Sequence, residues 1–592
     1  MEERLAELEA RLASLAGTVR ALEARLTALD GRAGAAVSDL PAAAEAAASA
    51  ATATVLPSGQ EVIEGGTALL PLVGRTFLVL GGGFLFRALT DERMLPPAAG
   101  VVLGLLYAVV IGVLADRAKG AAARTSASFH GLAAAMIGMP LLFEATTRFK
   151  VLSPMAASAL LAAFAVFLVA VAWRRDVQFV AWVAAAGSVA TALALLLATH
   201  AVATVSVLLL ALGTGSLWLT YGRRWHALRW PFALAVDVSV FLMTQVAANP
   251  GGLPEGYTDL SIPAVLAIAL ALPVLYLGSF SIRTLTQQRG VNAFEVVQTV
   301  IALVAGFGGA VRVERAAGWG STWLGIAALA VAAACYFVAF EFVERRLEFR
   351  NNFLFFSSLA VVLTLASSLL VFGVNGLVLF WCGMAVVAAI LGFRLGRLAL
   401  AWHAAAYVLA SGLAGGLFGA ALQSFLGGAD RAFSAPGRDL LVVVAAAVAS
   451  YTALSVEEAR RKGERRTVDR IPIAILGVVA VLGIGAGIVD LVLLAFGGPA
   501  AAGAAKLAVV RTAVLAVAAI GLAWTRRRME FFTDVSWLAY PLLVAGGMKL
   551  LLEDLRVGGP AALVVAFGFF GAALILVPRL QRAAEAPAPP AP

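Results

Sequence analysis

Asp237 is the residue of this chain whose type and position most clearly suggest chemistry. It lies almost midway along an apolar run, residues 232–246. If that run crosses a membrane as a helix, a charge near its centre costs about 2.5–3.5 kcal/mol on insertion scales, so such charges are kept for a function or are paired with a neighbouring helix. Asp237 therefore predicts either a proton or cation site or a structural carboxylate that bonds to another helix.

Three other polar residues lie within or at the edge of apolar runs. Glu295 and Gln298 are near the start of one run, where interfacial water lowers the cost of burial. Arg75 is a third of the way into another run and can reach the interface or pair with an acid, because its side chain is long. Together with Asp237, residues Glu295 and Arg75 form the predicted intramembrane polar site.

Two histidines and one acidic pair offer other chemistry. His130 and His403 titrate near neutral pH and could relay protons, although a single histidine in an apolar run is more often a hydrogen-bonded core residue. Asp91 and Glu92 follow the first apolar run, where membrane glycosyltransferases that use lipid-linked sugars carry acidic residues. Those enzymes also have large outer loops, which this sequence lacks. We therefore expect no enzyme, with a membrane-embedded lipid-linked sugar transferase as the alternative.

Motifs for nucleotides and metals are missing from the sequence. The chain has no Walker A segment and no His-Glu-x-x-His motif, and its four histidines and two cysteines have no metal-ligand spacing. Both cysteines, Cys335 and Cys382, lie inside apolar runs, which argues against a disulfide framework. The sequence predicts no cofactor and no metal site.

Asp490 and Arg511 are opposite charges that we expect to pair. Asp490 lies about seven residues before the end of one predicted span and Arg511 about seven residues after the start of the next, which at 1.5 Å per residue puts both ~10 Å below one membrane surface. Facing each other, they could form charge-assisted hydrogen bonds. We predict a structural clasp between the two helices of one hairpin, in preference to a role in transport.

The elements that must position these residues are membrane-spanning helices. Hydrophobic residues make up 61% of the chain and charged residues only 13%. The apolar residues fall in runs of about 18–25, the length that crosses ~30 Å of hydrocarbon as a helix. The predicted fold class is therefore all-α: a polytopic bundle of about eighteen transmembrane helices in residues 67–578.

The connections between spans predict the orientation of the chain. Basic clusters such as Arg174–Arg175, Arg223–Arg224 and 526–528 follow even-numbered spans, so the spans form successive hairpins. Lysine and arginine are retained on the cytoplasmic side. Both termini are expected in the cytoplasm and the chain in a cell membrane, the inner membrane of a bacterium. The net charge of +9 then reflects topology, and we expect membrane lipids as partners and no nucleic acid.

Residues 1–32 differ from the rest and predict a cytoplasmic coiled coil. Apolar residues recur with alternating gaps of three and four over four heptads, the pattern of a coiled-coil seam. The seam residues are Leu5, Leu8, Leu12, Leu15, Val19, Leu22, Leu26 and Leu29. We expect a homo-oligomer through this segment; the alternative is an amphipathic helix on the membrane. Residues 33–66 are an Ala- and Ser-rich linker, and residues 579–592 a disordered Pro- and Ala-rich tail.

Three short segments resemble a known family. They are the Phe-His-Gly-Leu-Ala-Ala-Ala run at 129–135, Leu-Ser-Pro at 152–154 and Arg-Arg-Asp at 174–176. With the heptads and the many hairpins, these segments resemble the polytopic membrane proteins called domain of unknown function 2339. The resemblance implies the fold and carries no established activity.

Two functions are compatible with this sequence. The first is a self-associating envelope scaffold that acts by assembly through the coil. The alternative is a carrier or lipid-translocating transporter with Asp237 near its path. Few polar residues lie inside the spans, which argues against a water-lined route for a polar solute but not against a lipid or another hydrophobic substrate.

Overall fold

The computed structural model describes most of the chain between Gly59 and Glu585. The described ranges are 59–119, 123–222, 225–257, 260–343, 350–395, 397–427, 437–460, 470–528 and 536–585. The predicted coiled coil at 1–32, most of the linker and residues 586–592 of the predicted tail lie outside them. Helices begin before and end after the predicted limits of the membrane domain: the first begins at Gly59 and the last continues to Glu585.

The described residues contain helices and no strand, so the all-α fold class is confirmed for them. We number the helices in chain order. They are α1 (Gly59–Asp91), α2 (Pro97–Arg117), α3 (Ala123–Thr147), α4 (Pro154–Arg175), α5 (Gln178–Thr199), α6 (Val202–Gly222), α7 (Arg229–Ala247), α8 (Ile262–Thr286), α9 (Ala293–Ala316), α10 (Thr322–Phe337), α11 (Arg350–Val371), α12 (Val374–Leu395), α13 (Leu398–Ala414), α14 (Leu417–Leu426), α15 (Arg438–Arg460), α16 (Ile471–Ala495), α17 (Pro499–Arg528), α18 (Ala539–Lys549) and α19 (Pro560–Glu585).

The chain has the architecture of a multi-pass membrane protein. Within the described ranges, 15 helices are long and apolar enough to cross a membrane. The pair α13 and α14, bent by 64°, makes a sixteenth if it is one broken span. The break is at Gly416, whose left-handed φ of 72° favours glycine. Neither α1 nor α18 is among these spans, so the number of about eighteen stays a prediction.

Contacts between helices divide the described chain into two units. The first ends at Thr199 and contains α1–α5. In it, glycines leave room for the aromatic rings of α4: a Cβ added at Gly112 of α2 would lie 2.4 Å from Phe167, and one at Gly138 of α3 would lie 2.6 Å from Phe164. Small residues let membrane helices approach closely, since lipid tails give no hydrophobic drive for association.

The second unit begins at His200 and contains α6–α19. Its helices α6–α9 pack on one another, α10 packs on α11, α12 packs on α13 and α15, and α17 packs on α16, α18 and α19. In the described residues of this unit, three π-helical segments interrupt or extend the helices: Leu303–Gly308 within α9, Val338–Val343 after α10 and Leu550–Asp554 after α18. Such segments are rare in proteins and are frequent at functional sites.

Candidate functional site

A group of buried and half-buried polar side chains, which we call the central cluster, lies between α6, α7, α8 and α9. Its members are Tyr221, Asp237, Tyr276, Arg283, Glu295 and Gln298. The start of α9 fixes one end of the cluster through a capping box. The Asn292 side chain accepts a hydrogen bond from the Glu295 amide at 3.2 Å, and Glu295 accepts one from the Asn292 amide at 3.0 Å.

Glu295 is fully buried and is neutralised by Arg283 of α8. The arginine Nη1 donates to Glu295 Oε1, and the Tyr221 hydroxyl of α6 donates to the same oxygen at 3.1 Å. A second cation, Arg229, stacks over the Phe294 ring at 4.2 Å and so lies near the same end of α9. Both Glu295 oxygens therefore have partners, and this half of the cluster joins α6 and α8 to the start of α9.

Asp237 is in a different situation. It is 4% exposed, and its Oδ1 accepts a hydrogen bond from Gln298 Nε2 of α9 at 2.9 Å. Its Oδ2 is buried and has no partner among the described residues. Tyr276, 1% exposed, lies within electrostatic range of Asp237, and its hydroxyl also has no partner in the described ranges.

Backbone irregularities lie beside this carboxylate. Pro273 of α8 has no amide hydrogen, so the Ala269 carbonyl one turn earlier loses its helical hydrogen bond. Gly306, in the π-helical segment of α9, packs against that carbonyl, and a Cβ added there would lie 2.4 Å from it. Regular helix geometry is therefore interrupted on both α8 and α9, next to the helix turns that hold Tyr276 and Gln298.

The predicted site residues are only partly brought together. Asp237 binds Gln298, which is one turn after Glu295 on α9, as a shared site requires. Arg75 lies in α1 of the other unit, and its side chain is outside the described residues.

The other candidates of the sequence are in local contacts. The His403 ring lies 3.4 Å from the Tyr336 hydroxyl, and His130 Nδ1 lies 2.7 Å from the Ser126 carbonyl oxygen of its own helix. Asp91 pairs with Arg148 at 3.2 Å. Contacts of this kind are common in the interior of helical proteins. They favour a structural role for these residues over a catalytic or proton-relay role.

Three members of the central cluster were missed in the sequence. Arg283 is near the end of α8, where a basic residue is typical of a cytoplasmic loop. Tyr221 and Tyr276 lie in apolar runs and have no distinguishing spacing. An arginine only three residues past the end of a predicted span, at 280, is the one signal that could have identified Arg283.

A second set of polar and charged side chains, most of them buried, lies where α14, α16 and the end of α18 meet α17; we call it the C-terminal cluster. Its members are Ser424, Asp490, Arg511, Thr512, Lys549, Glu553 and Asp554. Arg511 is 1% exposed and joins three helices. It donates to Glu553 at 2.9 Å, to the Ser424 carbonyl at 2.7 Å and to the carbonyl of Gly427. The last turn of α14, where a helix leaves carbonyls free, is thus capped by a guanidinium.

The predicted clasp residues both belong to this cluster. Asp490 accepts a hydrogen bond from the Ser424 hydroxyl at 2.7 Å, so Asp490 and Arg511 bind the same residue of α14. Glu553 is an ion-pair partner of Arg511 that the sequence did not suggest. A direct pair between Asp490 and Arg511 stays a prediction.

Lys549 completes the C-terminal cluster. Its Nζ donates to Asp554 at 2.6 Å, to Thr512 at 3.0 Å and to the Ala508 carbonyl at 2.7 Å, so all three of its protons have acceptors. The Thr512 hydroxyl in turn donates to Asp554 at 2.5 Å. The arrangement is that of a satisfied structural network.

Neither cluster has the composition of a metal centre. Across the part of the chain that the structure describes, no three histidine, cysteine, aspartate or glutamate side chains are grouped so as to hold a metal ion.

Compared with models of protein families, with curated proteins and with solved structures, this chain matches none. The resemblance to domain of unknown function 2339 therefore stays a prediction.

Proposed function

We propose that this chain is a membrane carrier for an amphipathic lipid, with Asp237 as the group that binds and releases a proton during transport. The observation that carries this proposal is the Asp237 carboxylate, which is buried in an apolar bundle with one oxygen bonded and the other without a partner. The neighbouring Glu295 carboxylate, by contrast, has partners on both oxygens.

The chemistry of the carboxylate supports a proton site. A charge without full compensation is costly in hydrocarbon, and a proton bound to the carboxylate removes that cost. A proton is the smallest ligand that neutralises a carboxylate, and it needs no cavity. A lipid substrate agrees with the scarcity of polar side chains in the spans, because the tail of a lipid needs no water-lined path.

The surrounding helices supply a place for movement. Pro273 and the π-helical segment Leu303–Gly308 lie beside the Asp237–Gln298 pair, and bends in membrane helices concentrate at such positions. Protonation of Asp237 changes the strength of its bond to Gln298, which links α7 to α9. We infer that proton binding alters the packing of α9 on α7 and α8.

Vesicle transport of a fluorescent lipid tests the proposal. The purified protein is reconstituted with NBD-labelled phosphatidylethanolamine, and dithionite added outside reports how fast labelled lipid reaches the outer leaflet. We expect a faster rate than in protein-free vesicles and a further change when a pH gradient is imposed. Asp237→Asn should keep the protein folded and remove the dependence on the gradient.

Glu255→Gln is the matched control, since Glu255 is an exposed carboxylate in the connection between α7 and α8. This variant should transport like the wild type. A wild-type rate equal to that of empty vesicles would exclude lipid transport. Gradient dependence that survives in Asp237→Asn would exclude Asp237 as the proton site.

A second function, the self-associating scaffold, is favoured by the eight-residue heptad seam of residues 1–32. We propose that this segment forms a parallel homo-oligomer that tethers the membrane domains. The double variant Leu12→Glu with Leu22→Glu should lower the mass of the detergent-solubilised protein in sedimentation. An unchanged mass would remove the coil as the oligomer contact.

We also propose a cell membrane as the location, with both termini in the cytoplasm. The basic clusters after even-numbered spans support this orientation. A reporter enzyme that is active only outside the cell should be inactive when fused to Met1 or Pro592. Activity at either end would contradict the orientation.

A further inference from the structure

An elongated apolar groove lies between α8, α9, α10 and α11. Its volume is about 450 Å³, within the size range of ligand sites in proteins. Its lining follows α8 from Leu270 to Leu285 and α10 from Trp323 to Val338. At 1.5 Å per residue, each of these stretches is ~22 Å long. One leaflet contributes about half of the ~30 Å hydrocarbon core, so the groove is longer than a leaflet is deep.

Two irregular helix segments border the groove. Leu303 and Phe307 line it from the π-helical segment of α9, and Val338, which begins the π-helical segment after α10, lines it from the opposite side. A π-helical turn inserts an extra residue and weakens the regular hydrogen bonding, and it is retained most often at functional sites. The two π-helical segments therefore favour a functional role for the groove.

An acidic group adjoins one end of the groove, where it is bonded to the lining residue Trp323. Trp323 lines the groove and donates its indole N–H to Glu314 Oε1 at 2.5 Å. Glu314 is fully buried, and its Oε2 has no partner among the residues that the structure describes. A buried carboxylate with a free oxygen is favourable only when a cation or a hydrogen-bond donor is supplied.

We propose that this groove is the lipid site of the carrier: it binds one hydrocarbon chain of a lipid whose ammonium head group binds Glu314. The role in transport rests on the proposed carrier function; binding itself does not. Because the groove extends past the depth of one leaflet, it accommodates the chain of a lipid whose head group is moving between leaflets. Phosphatidylethanolamine has the required ammonium, whereas phosphatidylglycerol lacks it.

Photocrosslinking tests the occupant. The purified full-length protein is mixed with phosphatidylethanolamine that carries a diazirine in its acyl chain, and crosslinked residues are mapped by mass spectrometry. We expect crosslinks to concentrate on groove residues such as Val331 and Cys335. Exposed apolar residues outside the groove, such as Leu551 and Val564, should be labelled less.

Two bulky substitutions distinguish lipid binding in the groove from lipid contact elsewhere on the protein surface. At Gly278, which lines the groove, an added Cβ meets no atom within 4 Å, so the side chain of Gly278→Phe begins in open space and extends into the groove. Gly383→Phe is the matched control on α12, where a Cβ is equally free. Crosslinks at Cys335 should be lost in the first variant and kept in the second. Gly278→Leu replaces Gly278→Phe if the larger residue prevents a monodisperse preparation.

Competition by unlabelled lipid tests the head group. Phosphatidylethanolamine should displace the probe at an about tenfold lower concentration than phosphatidylglycerol, the factor expected for one charge-assisted hydrogen bond. Glu314→Gln should abolish this difference. Equal competition in the wild type would overturn the head-group assignment, and crosslinks that do not respond to Gly278→Phe would overturn the groove.

The transport assay distinguishes this proposal from the carrier function. Crosslinks in the groove without wild-type lipid transport would refute the carrier and leave the groove as a lipid site. Transport that continues in Gly278→Phe while its crosslinks are lost would refute the groove as the route and leave the carrier.

Discussion

The two buried polar clusters differ in how completely their groups are bonded. In the C-terminal cluster, none of the seven described side chains has a buried nitrogen or oxygen without a partner. In the central cluster, Asp237 Oδ2, the Tyr276 hydroxyl and Arg283 Nε all lack one within the described ranges. Both clusters lie in the same unit, and both combine carboxylates with an arginine. They differ in how many of their polar atoms have partners.

Because its buried polar atoms all have partners, the C-terminal cluster holds the helices around it in one arrangement; we call this cluster the fixed joint. Arg511 and Lys549 together contact α14, α17 and the segment after α18, and breaking any one contact leaves a buried charge. Asp237 Oδ2, which has no partner in the described ranges, allows a change of state instead. A proton, or a donor brought close by a change of helix packing, can become its partner. The comparison suggests that an incompletely bonded charge in a membrane bundle is a better indication of function than a buried charge alone.

Arg511→Met should give the largest loss of stability in the molecule. It removes a fully buried cation, leaves Glu553 without its short ion pair and uncaps the last turn of α14. Removing one partner of a buried pair costs about 3–5 kcal/mol. Unfolding of the detergent-solubilised protein, followed by circular dichroism against added dodecyl sulfate, measures this loss.

Lys506→Met is the control for this prediction, because Lys506 is exposed on the same helix. Its effect should stay within about 0.5 kcal/mol, as for other surface substitutions. Equal losses in the two variants would show that Arg511 is not part of a fixed joint.

Asp554→Asn and Asp237→Asn should differ in their loss of stability, which compares the two clusters directly. Asp554 accepts from both Lys549 and Thr512, and loss of hydrogen bonds to a charged group costs about 1.5–3 kcal/mol. Asparagine at 237 can still accept from Gln298 through its oxygen, so its effect should be below about 1 kcal/mol. The same unfolding measurement compares them, and a loss at 237 as large as that at 554 would mean that Asp237 is structural.

The sequence predicted the elements and some single residues, but not the partners. Asp237 was found because it lies in the middle of an apolar run. Its partner Gln298 could not be found in this way, because the two residues are 61 positions apart in the sequence and lie on different helices. Similarly, equal depth suggested a link between Asp490 and Arg511, which both bind Ser424, while Ser424 and Glu553 themselves could not be foreseen. Depth follows from counting along a helix at 1.5 Å per residue. Rotation about the helix axis and the choice of neighbour are set by packing among all the helices.

A double-mutant cycle on Asp490 and Arg511 addresses the smallest expected effect, the coupling between two charges of the fixed joint. Both bind Ser424, through its hydroxyl and its carbonyl, so removing one charge changes the surroundings of the other. Asp490→Asn alone should destabilise the protein, since it leaves Arg511 with less compensation. Adding Arg511→Gln should then cost about 1 kcal/mol less than it does in the wild type, within the range measured for residues of one network. Lys506→Gln combined with Asp490→Asn serves as the uncoupled reference, because Lys506 is exposed on the same helix as Arg511. Strictly additive losses for Asp490 and Arg511 would mean that the two charges act independently, and the C-terminal cluster would then be a set of separate contacts and not one joint.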